Sequence, residues 1–372
     1  MRILHVIRRL QKSAGTSTFC VEVCNRLAKR GHAVRVAMLN PEDKSNFDLY
    51  PTIEVVSVDE AIGHASQSLP DVVHLHALWT PFLHRVAKWA GHNGRPMIWS
   101  THGLTAPWAM RHKWFKKLPV WWLYQKWDLK KAAAIHCTTA LEAEWNKALG
   151  YNNCFVAPLG TNEASDRDVP ELVAKHKHCL LFVGRLYPVK GLVNLIRAWG
   201  IVSERRNFEA TDSHGADSWK LRIVGPDQAG HLALLKSEAR RLGLEGCVEF
   251  PGPKFGADLS KEYETCDALV LPSFTENFGA TVIDALAHGK PVITSTFTPW
   301  HEVVERGCGW WVSNEPSILA NAIGEMIDAG ESMRHEMGER GRILVAEKYT
   351  WEAVVDRISR EYKEVCERCS RF

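Results

Sequence analysis

Short apolar runs separated by helix-length segments recur from one end of the chain to the other, and the recurrence breaks once. Strands are predicted at 3–7, 33–39, 53–58, 72–76, 96–101, 133–138 and 153–158, with helical pattern at 17–30, 81–90 and 141–149. Residues 163–170 are polar, carry Asp and Pro, and read as a linker. The pattern then restarts with strands at 179–183, 221–224, 248–250, 268–271, 292–294 and 309–312, and helices at 192–206 and 232–242. Residues 207–218 form a polar insertion between the helix 192–206 and the strand 221–224. A final helix, 351–366, puts Val354, Val355, Ile358 and Tyr362 on one side at helical spacing. Alternation of this kind implies parallel sheets covered by helices on both faces. The expected fold class is therefore α/β, with two doubly wound halves. At 372 residues the chain exceeds what one core usually serves. The expected domains are 1–165, 171–350 and a closing segment 351–372. Ligands of such sheets sit beyond the carboxyl ends of the strands, so a shared site between the halves is expected.

Composition excludes several classes. No tract approaches the roughly 20 apolar residues a membrane span needs. The opening residues 1–7 read as a first strand and lack a signal peptide's regions. Ten cysteines are scattered, with Cys137, Cys179 and Cys266 inside apolar runs, where buried free thiols occur. Cys366 and Cys369 form a lone CxxC without a partner pair for zinc. A reducing, cytoplasmic setting is expected. The net charge of +3 conceals an imbalance: residues 1–170 hold 21 Lys+Arg against 14 Asp+Glu, and the remainder 25 against 29. A basic first half suits an anionic partner such as phosphate or an acidic membrane surface.

Two stretches of the second half carry chemistry. The apolar run 268–271 leads through Pro272-Ser-Phe-Thr-Glu-Asn-Phe-Gly279 into helix-forming sequence that stops at Gly289 and Pro291. Glu276 lies in the loop, and the helix that follows Gly279 opens with free N–H groups that attract an anion. Asp284 stands further along that helix. The second stretch, Gly184-Arg-Leu-Tyr-Pro-Val-Lys-Gly191, also follows a strand. Gly184 permits a tight turn, and Arg185 with Lys190 offers a planar fork and a compact charge, a pair suited to a diphosphate.

Gly184-Arg185…Lys190-Gly191, Ile223-Val-Gly-Pro226, Asp267…Leu271-Pro-Ser273 and Glu276-Asn-Phe-Gly279 occur in that order. Together they resemble the retaining, nucleotide-sugar-dependent glycosyltransferases of family 4, which have the GT-B fold. The resemblance covers essentially the whole chain, specifically in the second half and loosely in the first. It implies two Rossmann-like domains facing across a cleft, with the closing helix returning to the N-terminal domain. The first would bind the acceptor and the second the donor. Arg185 and Lys190 match the pair that grips the donor diphosphate, and Glu276 the glutamate that bonds donor-sugar hydroxyls. Amides around Asn277, Phe278 and Gly279 would complete the phosphate cradle. Asp284 replaces the usual ribose-binding Glu with a side chain one methylene shorter. Val224, Gly225 and the segment Pro253-Lys254 fall where the family lines its base pocket; uracil and guanine both remain open.

In the first half, Ala14-Gly15-Thr16 takes the place of a Gly-rich loop near the diphosphate, with Gly15 as the matching residue. His102 follows the strand 96–101, where the family often has a His reaching the donor sugar. His74 and His76 alternate on a strand; without an evident third ligand they read as core histidines, not a metal site. Asp166-Arg-Asp168 has the form of a metal-binding DxD but sits in the linker. Arg185 and Lys190 can stand in for a divalent metal, so neither metal nor cofactor is expected.

Residues 105–131 interleave Trp108, Trp114, Phe115, Trp121, Trp122, Tyr124 and Trp127 with Arg111, Lys113, Lys116, Lys117, Lys126, Lys130 and Lys131. Aromatic and basic residues in this mixture suit anionic lipid headgroups. Base stacking would use the same residues, and a helical pair with buried Trp would too. No nucleic-acid module accompanies them, and the family resemblance favours lipid; it implies peripheral attachment to the inner face of the cell membrane, with a lipid-linked glycan acceptor. The expected activity is retaining transfer of a sugar from a nucleoside diphosphate (UDP or GDP) to a hydroxyl, in cell-surface polysaccharide assembly. The alternatives are an epimerase or phosphorylase on the same fold, or a non-catalytic nucleotide-sugar-binding subunit.

Overall fold

A computed structural model of the chain describes residues 1–11, 15–42, 47–63, 69–162, 178–206 and 219–369. These residues fall into two compact units, Met1–Gly160 with Trp351–Phe372, and Thr161–Thr350. The predicted linker 163–170, its Asp166-Arg-Asp168, the insertion 207–218 and Ala14 lie outside the described residues.

The first unit holds a seven-stranded sheet of β1 (Arg2–Val6), β2 (Ala33–Met38), β3 (Glu54–Ser57), β4 (Val72–His76), β5 (Met97–Ser100), β6 (Ala134–Cys137) and β7 (Cys154–Val156). Its order is β3-β2-β1-β4-β5-β6-β7, and every pair is parallel. Parallel strands covered on both faces read as nearly continuous apolar runs. Alternation then divides each strand between two cores. Ile3, Val34, Val36, Val72 and Ile98 join one core with Phe19 and Leu27 of the helix Gly15–Lys29. Leu4, Val6, Val73, Leu75 and Trp99 join the other with Leu83 and Val86 of the helix Pro81–His92. The closing helix Trp351–Cys369 buries Trp351, Val354, Val355, Ile358, Tyr362 and Val365 in the first of these cores. It thus belongs to the N-terminal unit, as its apolar side requires. Its ion pairs there, Arg26–Glu352 and Arg30–Asp356, involve exposed carboxylates and contribute little.

The second unit holds a six-stranded sheet of β8 (His178–Val183), β9 (Trp219–Val224), β10 (Val248–Gly252), β11 (Ala268–Leu271), β12 (Val292–Ser295) and β13 (Gly309–Val312). Its order is β10-β9-β8-β11-β12-β13, again parallel throughout. Asp267 of the motif preceding β11 is a structural residue: it is buried and accepts from the Cys179 amide at 2.8 Å, joining the entrance of β11 to that of β8.

Predicted and observed strands agree to within two residues at most ends, because a run buried on both faces leaves little choice of boundary. A helix at Val58–Gly63 went unpredicted. The aromatic-basic stretch is mostly helical, with Pro107–Arg111, Trp114–Val120, a π turn at Trp121–Gln125 and Lys126–Lys131, and a turn at 112–113 between the first two. All ten cysteines are free thiols.

Candidate active site

In the second sheet the strand order reverses between β8 and β11, and the crevice outside such a reversal is the usual ligand site of a doubly wound sheet. Arg185 and Lys190 follow β8, and Glu276 follows β11, the two strands that flank that point. The Lys190 ammonium donates to Glu276 Oε1. The same oxygen accepts from the Ser273 hydroxyl at 2.8 Å. The two charged side chains are only 16 % and 12 % exposed, so their charges act in partial seclusion from water. Arg185 is exposed, and its guanidinium donates to Gln228 Oε1 at 2.9 Å.

The loops that carry these groups are fixed by backbone packing. A Cβ at Gly191, whose φ is +70°, would meet Pro272 O at 2.1 Å. A Cβ at Gly225 would meet Gly184 O at 1.8 Å. Only glycine allows the β8 loop to press against the β9 and β11 loops at once. The Phe274 amide donates to Val189 O at 2.8 Å, and the Leu186 amide to Pro226 O at 2.9 Å, completing the seams.

The helix Ala280–Ala287 begins after Gly279 without a side-chain cap. Its first amides are therefore available to an anion, with the positive end of the helix dipole behind them. Phe278 is buried at 5 % exposure, and its carbonyl accepts from the Trp300 indole, which anchors the turn. Val224 is likewise buried, at 1 % exposure, whereas Lys254 is half-buried just past β10. Asp284 lies on the same helix and accepts from the Thr161 hydroxyl at 2.9 Å. Burial pushes its carboxyl up to about 6, and the Thr161 bond only partly offsets this.

In the first unit Gly15 is exposed at the start of its helix, Gly15–Lys29. His102 is half-buried, follows β5 and takes a left-handed backbone, with φ of +48°. That region is sparsely used by residues other than glycine, although His enters it more readily than most. Two contacts hold it there. His102 Nε2 lies 3.1 Å from His76 Nδ1. On the chain's other side, Glu142 accepts from the Gly103 amide and the Thr101 hydroxyl with Oε1, and from the Thr138 amide and hydroxyl with Oε2. Glu142, fully buried, went unremarked in the sequence, although Thr139-Ala-Leu-Glu142 has the form of a helix-start signature. Thr139 indeed caps that helix, accepting from the Glu142 amide at 3.0 Å.

His74 and His76 are buried, and the structure supplies the neighbour that sequence spacing hid: with His5 on β1, one ring nitrogen from each of the three lies within 4.8 Å of the others.

The aromatic-basic stretch divides into two sets. Trp108, Trp114, Phe115, Trp122 and Trp127 are between 48 % and 60 % exposed. Arg111, Lys113 and Lys116 are exposed beside them. Lys126 lies 4.6 Å from the Trp122 ring centre. Trp121 and Lys117 turn inward: Trp121 packs on Trp79 and Tyr151, and the Lys117 ammonium donates to Ala109 O. Among the described residues no helix is long and apolar enough to cross a membrane.

Two parallel doubly wound units, one with cations and a carboxylate at its switch point, define a GT-B architecture. The same architecture occurs in sucrose-phosphate synthase from Thermosynechococcus elongatus, with a TM-score of 0.76 and 18 % identity over 98 % of this chain and 99 % of that one. It occurs again in Anabaena HepE, solved in complex with UDP and glucose, with a TM-score of 0.75 and 18 % identity over 98 % and 99 % of the two chains. Residues 165–344 match the profile of the group 1 glycosyl transferases, and residues 13–164 that of Glycosyltransferase Family 4. The chain belongs to glycosyltransferase family 4. D-inositol 3-phosphate glycosyltransferase of Corynebacterium jeikeium is 29 % identical over 212 residues, covering 55 % of this chain and 48 % of that protein. The chain thus spans about half the length of the curated relatives it matches.

Proposed function

We propose that the chain transfers a sugar from a nucleoside diphosphate to a hydroxyl acceptor, with retention at the anomeric carbon and without a metal. The observation that carries this reading is the Lys190–Glu276 pair at the switch point of the second sheet, in a chain of family 4. A diphosphate entering there takes the Lys190 ammonium, and Glu276 is then free to accept from donor-sugar hydroxyls. Arg185 and the amides at Asn277, Phe278 and Gly279 hold the remaining phosphate oxygens. Charge that develops on the leaving diphosphate is met by two cations and a helix N-terminus, the contribution that usually dominates such a step. Those cations take the part a divalent metal plays elsewhere.

In the same reading residues 171–350 bind the donor, and 1–165, with the returning segment 351–372, the acceptor. Gly184, Gly225, Lys254 and the backbone at Val224 lie beside the base, Asp284 serves the ribose, and Gly15 and His102 are further residues for the donor. HepE was solved with UDP and glucose, so UDP-glucose is the first donor to test. The exposed Trp108, Trp114, Trp122, Arg111, Lys113 and Lys116 support an anionic membrane surface as partner, at the cytoplasmic face, with a lipid-linked glycan as acceptor and cell-surface polysaccharide as product. Trp121 and Lys117 support that face from beneath. Nucleic acid is not a partner in this reading.

A thermal-shift panel of UDP, GDP and their sugars tests the donor site, because a ligand selective for the native state raises the melting temperature. A rise with one nucleotide series, lost in Lys190→Ala, is the expected result. No rise with any nucleotide sugar contradicts the reading.

A further inference from the structure

The face of the first sheet that packs against the helices Gly15–Lys29 and Trp351–Cys369 carries a continuous row of polar side chains. Strand register makes it: His5 pairs with His74, His76 with Ser100, and Ser100 with His136. All five are buried at 1 % exposure or less, as is Tyr362 from the closing helix. Polar groups so placed must be hydrogen-bonded, and here they bond in a single file.

The direction of that file can be worked out from one end. A backbone carbonyl has no proton, so His136 Nε2, 2.7 Å from Ala157 O, donates to it. A neutral imidazole carries one N–H, so His136 Nδ1 accepts from the Ser100 hydroxyl at 2.6 Å. The Ser100 proton is then committed, and its oxygen accepts from His74 Nε2 at 2.6 Å. His74 Nδ1 accepts from the Tyr362 hydroxyl at 2.6 Å, and the Tyr362 oxygen accepts from His5 Nε2 at 3.3 Å. His5 Nδ1 accepts from His76 Nε2 at 3.0 Å. Finally His76 Nδ1 accepts from His102 Nε2 at 3.1 Å.

We propose that this file fixes the tautomer of His102, with the proton on Nε2 and the lone pair on Nδ1, so that His102 meets its ligand as a hydrogen-bond acceptor for a hydroxyl. Tautomers are assigned from networks, and here each link follows in turn from the Ala157 carbonyl, which can only accept. Nδ1 of His102 makes no hydrogen bond among the described residues. The neutrality that the assignment requires is supplied by burial, which lowers the basicity of His5, His74, His102 and His136; neighbouring imidazoles lower it further. The Cys20 sulfur also touches His5 and His76, and the Cys24 thiol beside it holds its pKa well below the ordinary thiol value; as an acceptor it takes an N–H, and in this assignment His5 and His76 each carry one.

A metal is the rival occupant, since His5, His74 and His76, or His5 with Cys20 and Cys24, bring their ligand atoms within 4.8 Å. Both nitrogens of each of the three histidines already have a hydrogen-bond partner, which a cation would have to displace. His76, His5 and Tyr362 are therefore positioning residues for His102. What occupies Nδ1, a donor-sugar or acceptor hydroxyl, rests on the transferase reading; the tautomer does not.

The test is a two-bond 15N–1H correlation spectrum of the full chain labelled at histidine, with His102 assigned by its loss in His102→Asn. The wild type should show Nε2–H at His102. Tyr362→Phe removes the oxygen that commits the direction, so both His102 tautomers should appear, and donor turnover should fall roughly tenfold or more. Ser100→Ala cuts the file at another link and should do the same if Tyr362→Phe does not fold. His76→Gln, whose amide can accept from His102 and donate to His5, should keep the wild-type tautomer and most turnover; His76→Leu should keep neither. An Nδ1–H at His102 in the wild type, a His102 spectrum unchanged by Tyr362→Phe and Ser100→Ala, or stoichiometric bound metal would overturn the proposal. Absent turnover with the tautomer as assigned would instead sink the transferase reading and leave the file standing.

Discussion

Lys190 and Glu276 come from loops after two different strands, β8 and β11, and their side chains are paired across the point where the strand order reverses. A pair so shielded is costly to break on one side, because the remaining charge loses its partner but not its burial.

Lys190→Ala should therefore destabilise the chain as well as inactivate it, by about 1–3 kcal/mol given the residual exposure. Replacing both residues by Met should restore most of that stability and none of the activity. Denaturant unfolding of the three proteins measures the first effect, and donor turnover the second.

Glu142 satisfies four donors, on Thr101, Gly103 and Thr138, around His102. Glu142→Ala leaves them unpaired in a buried place, a change that costs about 3–5 kcal/mol in comparable settings. Glu142→Gln retains two acceptor lone pairs but puts a donor where a donor already stands, so an intermediate loss is expected. Thermal unfolding of both variants tests the order.

Asp284 gives a pH signature. Its folded pKa, about 6, lies above the ordinary 3.8, so the native state binds the proton more tightly than the unfolded one. Its stabilising contribution is full below pH ~4 and is lost as pH rises through ~6. Asp284→Asn keeps an acceptor for Thr161 and carries no charge, so above pH ~6 it should be the more stable protein by about 1–3 kcal/mol. Below pH ~4 the two should coincide. Melting temperatures across this range decide it.

The exposed aromatic-basic face should bind vesicles containing anionic lipid at low salt and release them as salt rises. Reversing Lys113 and Lys116 to Glu should weaken binding by at least about 1 kcal/mol per residue while leaving the melting temperature unchanged, since both are exposed. Co-sedimentation that ignores these reversals removes the membrane reading.

What could be read from residues alone followed how each part is built. Buried parallel strands announce themselves, and so do the charges that follow them, so Arg185, Lys190 and Glu276 could be placed just past strand ends before any geometry. The pairing of Lys190 with Glu276 was not, because it depends on which strands are neighbours. The same applies to the histidines: His74 and His76 show their alternation in sequence, but only strand register brings His5, Ser100 and His136 beside them. Tyr362 was legible as a core residue of the last helix, yet its hydroxyl matters because that helix returns to the first sheet. In residues 105–131 the mixture of Trp and Lys was plain, whereas which Trp faces outward depended on a π turn that no periodicity announces.

Release of nucleoside diphosphate by the purified full chain, followed over a panel of UDP- and GDP-sugars with and without an acceptor, tests the central claim most directly. The expected result is slow release from one donor series without acceptor, faster release with it, and loss of both by at least about tenfold in Arg185→Ala, Lys190→Ala and Glu276→Ala. Near-normal turnover in all three variants, or binding of a nucleotide sugar without any turnover, would contradict it.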